Sequence, residues 1–114
     1  MPRSRAAYLA DACDAVADVL AGVDLDTYCA RRSIRSSVER EFTIIGEAIG
    51  VLARWDPALA ARISHARLIV GFRNRLVHEY PQIDDEAVYA IARRDAPVLR
   101  AECADLLEEV AGAD

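Results

Sequence analysis

The stretch RNRLVHEY, residues 73–80, places one of the chain's two histidines between an arginine-rich turn and a tyrosine. Histidine is the side chain whose unperturbed pKa, about 6.5, lets it take or give a proton near neutral pH. Arginine carries a planar fork of N–H groups that holds two oxygens of one phosphate at once. Arg73, Asn74, Arg75 and His78 therefore gather groups that move protons and groups that grip anions. Spacing qualifies this: residues five apart on a straight α-helix lie about 140° from each other, so Arg73 and His78 do not share a face. Asn74 and Arg75, four and three residues before His78, are its natural neighbours. Periodicity alone thus predicts a polar patch of Asn74, Arg75 and His78 near a helix C-terminus, where the dipole favours a cationic imidazole. Two readings stand at this point, a helix-end histidine with Arg75 beside it and Tyr80 packing the turn, or an anion-facing site.

Charge is distributed unevenly around this stretch. The formal net charge is −5 and all fourteen basic residues are arginine. Such a balance argues against a protein that coats nucleic acid non-specifically, since neutralising phosphates takes an excess of basic side chains. Two arginines face five aspartates in residues 1–30, nine face four acids in 31–75, and three face ten acids in 76–114. The middle of the chain is basic between acidic ends. Within it, residues 57–78 contain Arg62, Arg67, Arg73 and Arg75 and no carboxylate, whereas solvated helix faces usually mix signs.

The elements that must position these residues are helical throughout. Leu9, Cys13, Val16 and Leu20 form one stripe from about Ser4 to Ala21, with Ser4 as a plausible N-cap and Gly22 as the stop. GVDLDTYCAR reads as a connection that admits one helical turn after Asp26. Ile34, Val38, Phe42, Ile45, Ile49 and Leu52 recur at steps of three and four and predict a long helix from Ser33, its cap, to Trp55, ended by Asp56 and Pro57. PALAARI can form a short helix before Ser64 caps a third long one reaching about Glu79. There Leu68, Phe72 and Leu76 lie on one side with Ile69, and Val70 and Val77 on another, so this helix should meet a second chain or helix besides the core. Pro81 ends it, and the remainder is helical from near Asp84, with Asp95 and Pro97 marking a kink or a break with a new cap. No β alternation, repeat or low-complexity linker occurs. The 114 residues predict a single all-α domain, an up-and-down bundle of four to five helices.

Other classes are excluded by composition. Hydrophobic residues make up 54% with only five Gly and four Pro between them, which is the balance of a folded chain. No run approaches the roughly 20 apolar residues of a membrane span, and MPRSRAAYLADACDA turns acidic where a secretory signal needs its apolar core. The sequence predicts a cytoplasmic protein with no membrane partner. Cys13, Cys29 and Cys103 are odd in number and lack C-x-x-C spacing, so they read as buried or half-buried thiols and not as a disulfide framework or zinc site.

GFRNRLVHEY, preceded by EREFTIIGEA at residues 39–48 and followed by PQIDDEAVYAIARRDAPVLR, resembles the HepT-like branch of the HEPN superfamily. That family pairs an E-x-x-x-I-G-E-A helix with a G-x-R-N-x-x-x-H-x-Y signature and an I-D-x-x-x-V-(W/Y) helix, and the likeness covers roughly residues 33–100. An arginine and a histidine alone would be weak grounds; R-N-x3-H-x-Y after IGEA at the expected separation is strong. The resemblance implies a HEPN-like bundle that is usually a homodimer, acts as a metal-independent endoribonuclease toxin of a type VII-like toxin–antitoxin pair, needs no cofactor, and is silenced by a minimal nucleotidyltransferase antitoxin. It implies that the motif copies of the two chains lie close together in a basic cleft at the dimer interface. In such a site Arg73 and His78 are catalytic, and Asn74, Arg75 and Arg67 support them or bind RNA. RNA is cut without metal when its 2′-hydroxyl attacks the adjacent phosphorus, which needs a group to take the hydroxyl proton and a cation to stabilise the phosphorane. The 2′-hydroxyl requirement makes DNA resistant. In some members the antitoxin transfers AMP onto the tyrosine matching Tyr80, and a bulky anion there repels RNA.

The same motifs also admit a non-catalytic HEPN module that binds a nucleotidyltransferase or a nucleotide. His65, with no motif behind it, reads as a surface or helix-start histidine. Glu39, Glu41 and Glu47 lack the pairing of a metal site, and Glu47 is expected to support the basic motif electrostatically. Phe42 and Trp55 read as core or interface aromatics. Glu79, beside the proposed base, is expected to point toward solvent.

Overall fold

A computed structural model of the chain describes the backbone of residues 2–78 and 83–113 and the side chains of residues 6–76 and 83–106. Among the described residues there are six helices and no strand: α1 (Pro2–Leu20), α2 (Leu25–Ala30), α3 (Arg32–Trp55), α4 (Pro57–Ala60), α5 (Ala66–His78) and α6 (Asp85–Ala113). The expected all-α bundle is what forms, with four long helices and two short ones. α1 lies against both α3 and α6, α2 bridges α3 and α6, and α5 packs on α3. The apolar stripes read from the sequence meet in one core: Leu9, Cys13, Val16 and Leu20 of α1, Val38, Phe42, Ile45, Ile49 and Leu52 of α3, Ile69, Phe72 and Leu76 of α5, and Val88, Leu99 and Cys103 of α6. Phe42 and Phe72 meet edge to face with centroids 5.4 Å apart, joining α3 to α5 at the centre of the site region. No helix among the described residues is long and apolar enough to cross a membrane.

Helix ends follow local chemistry in some places and override it in others. Gly22 ends α1 with φ of +70°, the left-handed conformation that glycine adopts freely. Asp24 caps α2 by accepting the Thr27 N–H at 2.8 Å, and hydrogen bonding from the Thr27 side chain, then from this N–H, holds its carboxyl below the usual range. Asp56 both ends α3 and caps α4. Ser33 does not cap α3: the chain leaves α2 and enters α3 through one extended residue, Arg31, whose carbonyl takes the first helical bonds from Ile34 and Arg35. Ser4 likewise falls inside α1 and is not its cap. Leu68, read on the same side of α5 as Phe72 and Leu76, is 40% exposed while those two are buried.

The proline in α6 does not break it. Asp85–Ala113 is one helix with Pro97 inside, because Ala96 and Leu99 on either side are buried against the rest of the core and hold the turn that Pro97 leaves one bond short. Asp95 is therefore not a cap but a buried carboxylate, 1% exposed, held by the Arg94 fork at 3.1 and 3.2 Å and approached by His65 Nδ1 at 3.3 Å. His65 starts α5 in place of Ser64. Its φ is 62° and its carbonyl accepts the Ile69 N–H, while the Ser64 N–H donates to Glu102 Oε2 at 2.9 Å, so α6 anchors the entry to α5 twice.

The I-D-x-x-x-V-Y segment proves structural in each of its described parts. Val88 is fully buried, and Tyr89 Oη donates to the Val23 carbonyl at 2.7 Å, locking the α1–α2 connection with help from Arg93, which donates to Leu20 O at 2.8 Å. Asp84 Oδ1 accepts from the N–H groups of Glu86 and Ala87 at 3.1 and 3.2 Å, capping α6. Asp84→Ala is expected to cost about 1 kcal/mol, which lowers the thermal midpoint by roughly 4–8 °C in a domain of this size. Thermal denaturation followed by circular dichroism checks this, and Asp84→Asn, which keeps a capping acceptor, should recover most of the loss; an Asp84→Ala chain that melts like the parent would show the cap contributes nothing.

Two of the three thiols match expectation. Cys13 and Cys103 are buried, and burial is the first cause that pushes them up, to about 12 and about 11 respectively. Cys29 is exposed, contrary to the buried or half-buried reading, because α2 turns it away from the face that buries Tyr28.

Candidate functional site

Gly46 of α3 determines where Arg73 goes. At this glycine a Cβ would collide with the Cβ of Arg73 and stand 2.6 Å from its Cγ, so only a residue without a side chain lets the arginine stem lie flat on α3. One residue on, Glu47 Oε1 accepts from Arg73 Nη2 at 2.7 Å. From the other side Arg73 Nη1 donates to Asn74 Oδ1 at 3.0 Å. The expectation that Glu47 supports the basic motif is met by this ion pair. Arg73 is 23% exposed and Glu47 58%, so the pair contributes little to stability and mainly aims the guanidinium. Arg73 Nε is buried with no hydrogen-bond partner among the described residues, leaving part of the fork unused.

Beside this arginine lies an open groove of about 420 Å³ between α3 and α5, lined by Gly46, Glu47, Gly50, Val51, Arg54, Val70, Arg73 and Asn74. Asn74 thus belongs with Arg73. Arg75 does not: it stands over the Phe72 ring at 6.0 Å and lines a separate cleft of about 170 Å³ with Ile83, Asp84 and Val88 between α5 and α6. Successive helix positions turn by about 100°, which sends Asn74 to one cleft and Arg75 to the other. Arg67 is exposed in the first turn of α5, two turns before Asn74 and on the same helical face. His78 is the last residue described in α5, and helical spacing puts it on the face between Asn74 and Arg75. Its side chain, and Glu79, Tyr80 and Pro81 with the readings placed on them, lie outside the described residues.

Gly50 and Arg54 were not singled out from the sequence. A signal was available, since Gly46, Gly50 and Arg54 recur at steps of four on the α3 face, but small residues at that spacing are common and their partner helix is not written beside them. Among the described residues no group of three histidine, cysteine, aspartate or glutamate side chains is placed to hold a metal ion. What the arrangement can do chemically is bind an oxyanion at a rigidly aimed guanidinium, next to the helix end that carries His78.

No curated protein and no solved structure matches the chain. A family model described as "Ribonuclease HepT-like" matches residues 9–106, which include α3, Arg73, His78 and the whole α3/α5 groove. With nearly all of its length inside that match, the chain belongs to the HepT-like family.

Proposed function

We propose that the chain is a metal-independent endoribonuclease, the toxin of a type VII-like toxin–antitoxin pair, acting as a homodimer in the cytoplasm. The observation that carries this reading is Arg73, gripped by Glu47 and Asn74, seated on Gly46 and lining an open groove. A cation fixed before substrate arrives needs no reorganisation when the phosphorane forms. The 2′-hydroxyl loses its proton to His78 as its oxygen bonds to phosphorus. The P–O5′ bond breaks and the leaving 5′-oxygen takes a proton from water, giving a 2′,3′-cyclic phosphate and a 5′-hydroxyl end, and Arg73 binds the non-bridging oxygens throughout. The second copy of the chain closes the opposite wall of the cleft and so makes up for the turn between Arg73 and His78 on one helix. A minimal nucleotidyltransferase antitoxin silences the site by placing AMP on Tyr80, whose phosphate then competes for Arg73.

One observation favours the second reading, a helical module that binds a nucleotidyltransferase or nucleotide without cutting: Glu47 already balances the charge of Arg73 in the free chain. Incubating the purified, unmodified dimer with a mixed RNA pool in EDTA decides between them. Cleavage that leaves cyclic phosphate ends, and that a 2′-deoxy substitution at the cut site blocks, is the expected result. Intact RNA under those conditions would shift the assignment to the binding module.

A further inference from the structure

The α3/α5 groove extends well beyond Arg73, and its far end carries groups that the cleavage chemistry does not use. α3 and α5 are neighbours joined by ten residues that include α4. Gly46 of α3 meets Arg73 of α5 while Arg54, further along α3, shares the groove with Val70, earlier on α5, so they run antiparallel. Arg54 lies eight residues forward from Gly46 on α3 and Arg67 six residues back from Arg73 on α5, so the antiparallel course carries both toward the same end of the helix pair. Arg54 lines the groove, both arginines are exposed, and neither has a carboxylate partner among the described residues. Between the two ends the floor is open: a Cβ at Gly50 would meet nothing within 4 Å, and Val51 and Val70 line it with apolar surface. Next to Arg54 is Trp55, the chain's single tryptophan, 78% exposed and one turn beyond Val51 on α3. A large aromatic at that exposure contributes almost nothing to the core, and it adjoins Arg54 in the last turn of α3.

We propose that Arg54, Trp55 and Arg67 form a second nucleotide subsite, in which the arginines hold a phosphate and Trp55 stacks on the attached base. The proposal rests on the reading of the groove as an RNA site. It makes the ligand a single strand lying along the surface groove above the packed helices, because stacking on an aromatic face requires an unpaired base. Eight residues of α3 correspond to about 12 Å, more than one nucleotide step, so the subsite grips a phosphate that is not adjacent to the one at Arg73. Recognition by phosphate and stacking carries little sequence preference.

The test uses a 2′-O-methyl RNA octamer, which cannot supply the attacking hydroxyl, and reads the emission of Trp55 in the full chain. Saturable quenching that weakens as salt rises is expected, as is a salt slope smaller by roughly one for Arg54→Gln and for Arg67→Gln. Trp55→Ala, followed by anisotropy of a labelled octamer, should bind about 5- to 150-fold more weakly, the range for losing one base–aromatic stack. Absence of quenching, or variants that bind like the parent, would overturn the proposal. So would variants that change the sedimentation of the dimer, since the face would then be an interface between copies. Cleavage of an unmodified octamer by the parent keeps the two readings apart: cutting without quenching sinks this subsite alone, and quenching without cutting sinks the nuclease and leaves the subsite standing.

Discussion

Replacing Arg73 by alanine is expected to lower the single-turnover rate of RNA cleavage in EDTA by about 10²–10³-fold, the usual effect of removing one preorganised donor to a developing oxyanion. The fold should survive, because the ion pair that disappears is half in solvent and worth no more than about 1 kcal/mol. The informative companion is Arg73→Lys. An ammonium keeps the charge but is a point donor on a flexible stem, and it cannot span Glu47, Asn74 and a phosphate at once as the planar fork does. Lysine should therefore restore only a small part of the rate. Glu47→Gln keeps an acceptor for Nη2 but removes the charge, and should fall between parent and Arg73→Ala. Were Arg73→Lys as active as the parent, positive charge alone would be at work and the aiming by α3 would be irrelevant.

The arrangement behind that prediction was only half legible in the sequence. The stripes that build α1, α3 and α6 could be read because burial of one face imposes the 3.6-residue period directly on the residue types. Asp84, Gly22 and the Asp56–Pro57 pair could be read because their caps act within three residues. Ser33 and Ser64 misled for the same reason: a capping side chain is a local preference of about 1 kcal/mol. It yields where a tight α2–α3 connection, or the anchoring of Ser64 and His65 onto α6, fixes the entry of the chain. Asp95 misled because a carboxylate before a proline looks like a helix start until Arg94 and His65 are seen to satisfy it. In the candidate site, residue types announced Arg73, Asn74 and His78, but which cleft each faces depends on how α5 is rotated against α3. That rotation is set by a contact across 27 residues, Gly46 under Arg73, and no periodicity within either helix contains it.

The same contact makes two glycines one helical turn apart respond oppositely to one substitution. Gly50→Ala adds a methyl group where nothing lies within 4 Å, so the gain in helix propensity is uncompensated and the chain should be stabilised by about 0.5–1 kcal/mol. Gly46→Ala earns the same propensity term but drives a methyl group into the Cβ and Cγ of Arg73. Neither side yields easily, since α3 there is flanked by buried Ile45 and Ile49 and α5 by buried Phe72 and Leu76. Overpacking of this kind costs roughly 1–3 kcal/mol, which outweighs the propensity gain and should lower the thermal midpoint by several degrees. The change in cleavage should be larger than the change in stability. Arg73 can relieve the clash only by lifting its stem off α3, which breaks the bond to Glu47 and moves the guanidinium away from the phosphate. Displacement of about 1 Å at such a group costs on the order of 10²-fold in rate. Thermal melts and single-turnover cleavage of both variants check this together. A Gly46→Ala chain that melts low but cuts like the parent would mean that Arg73 acts without its seat on α3.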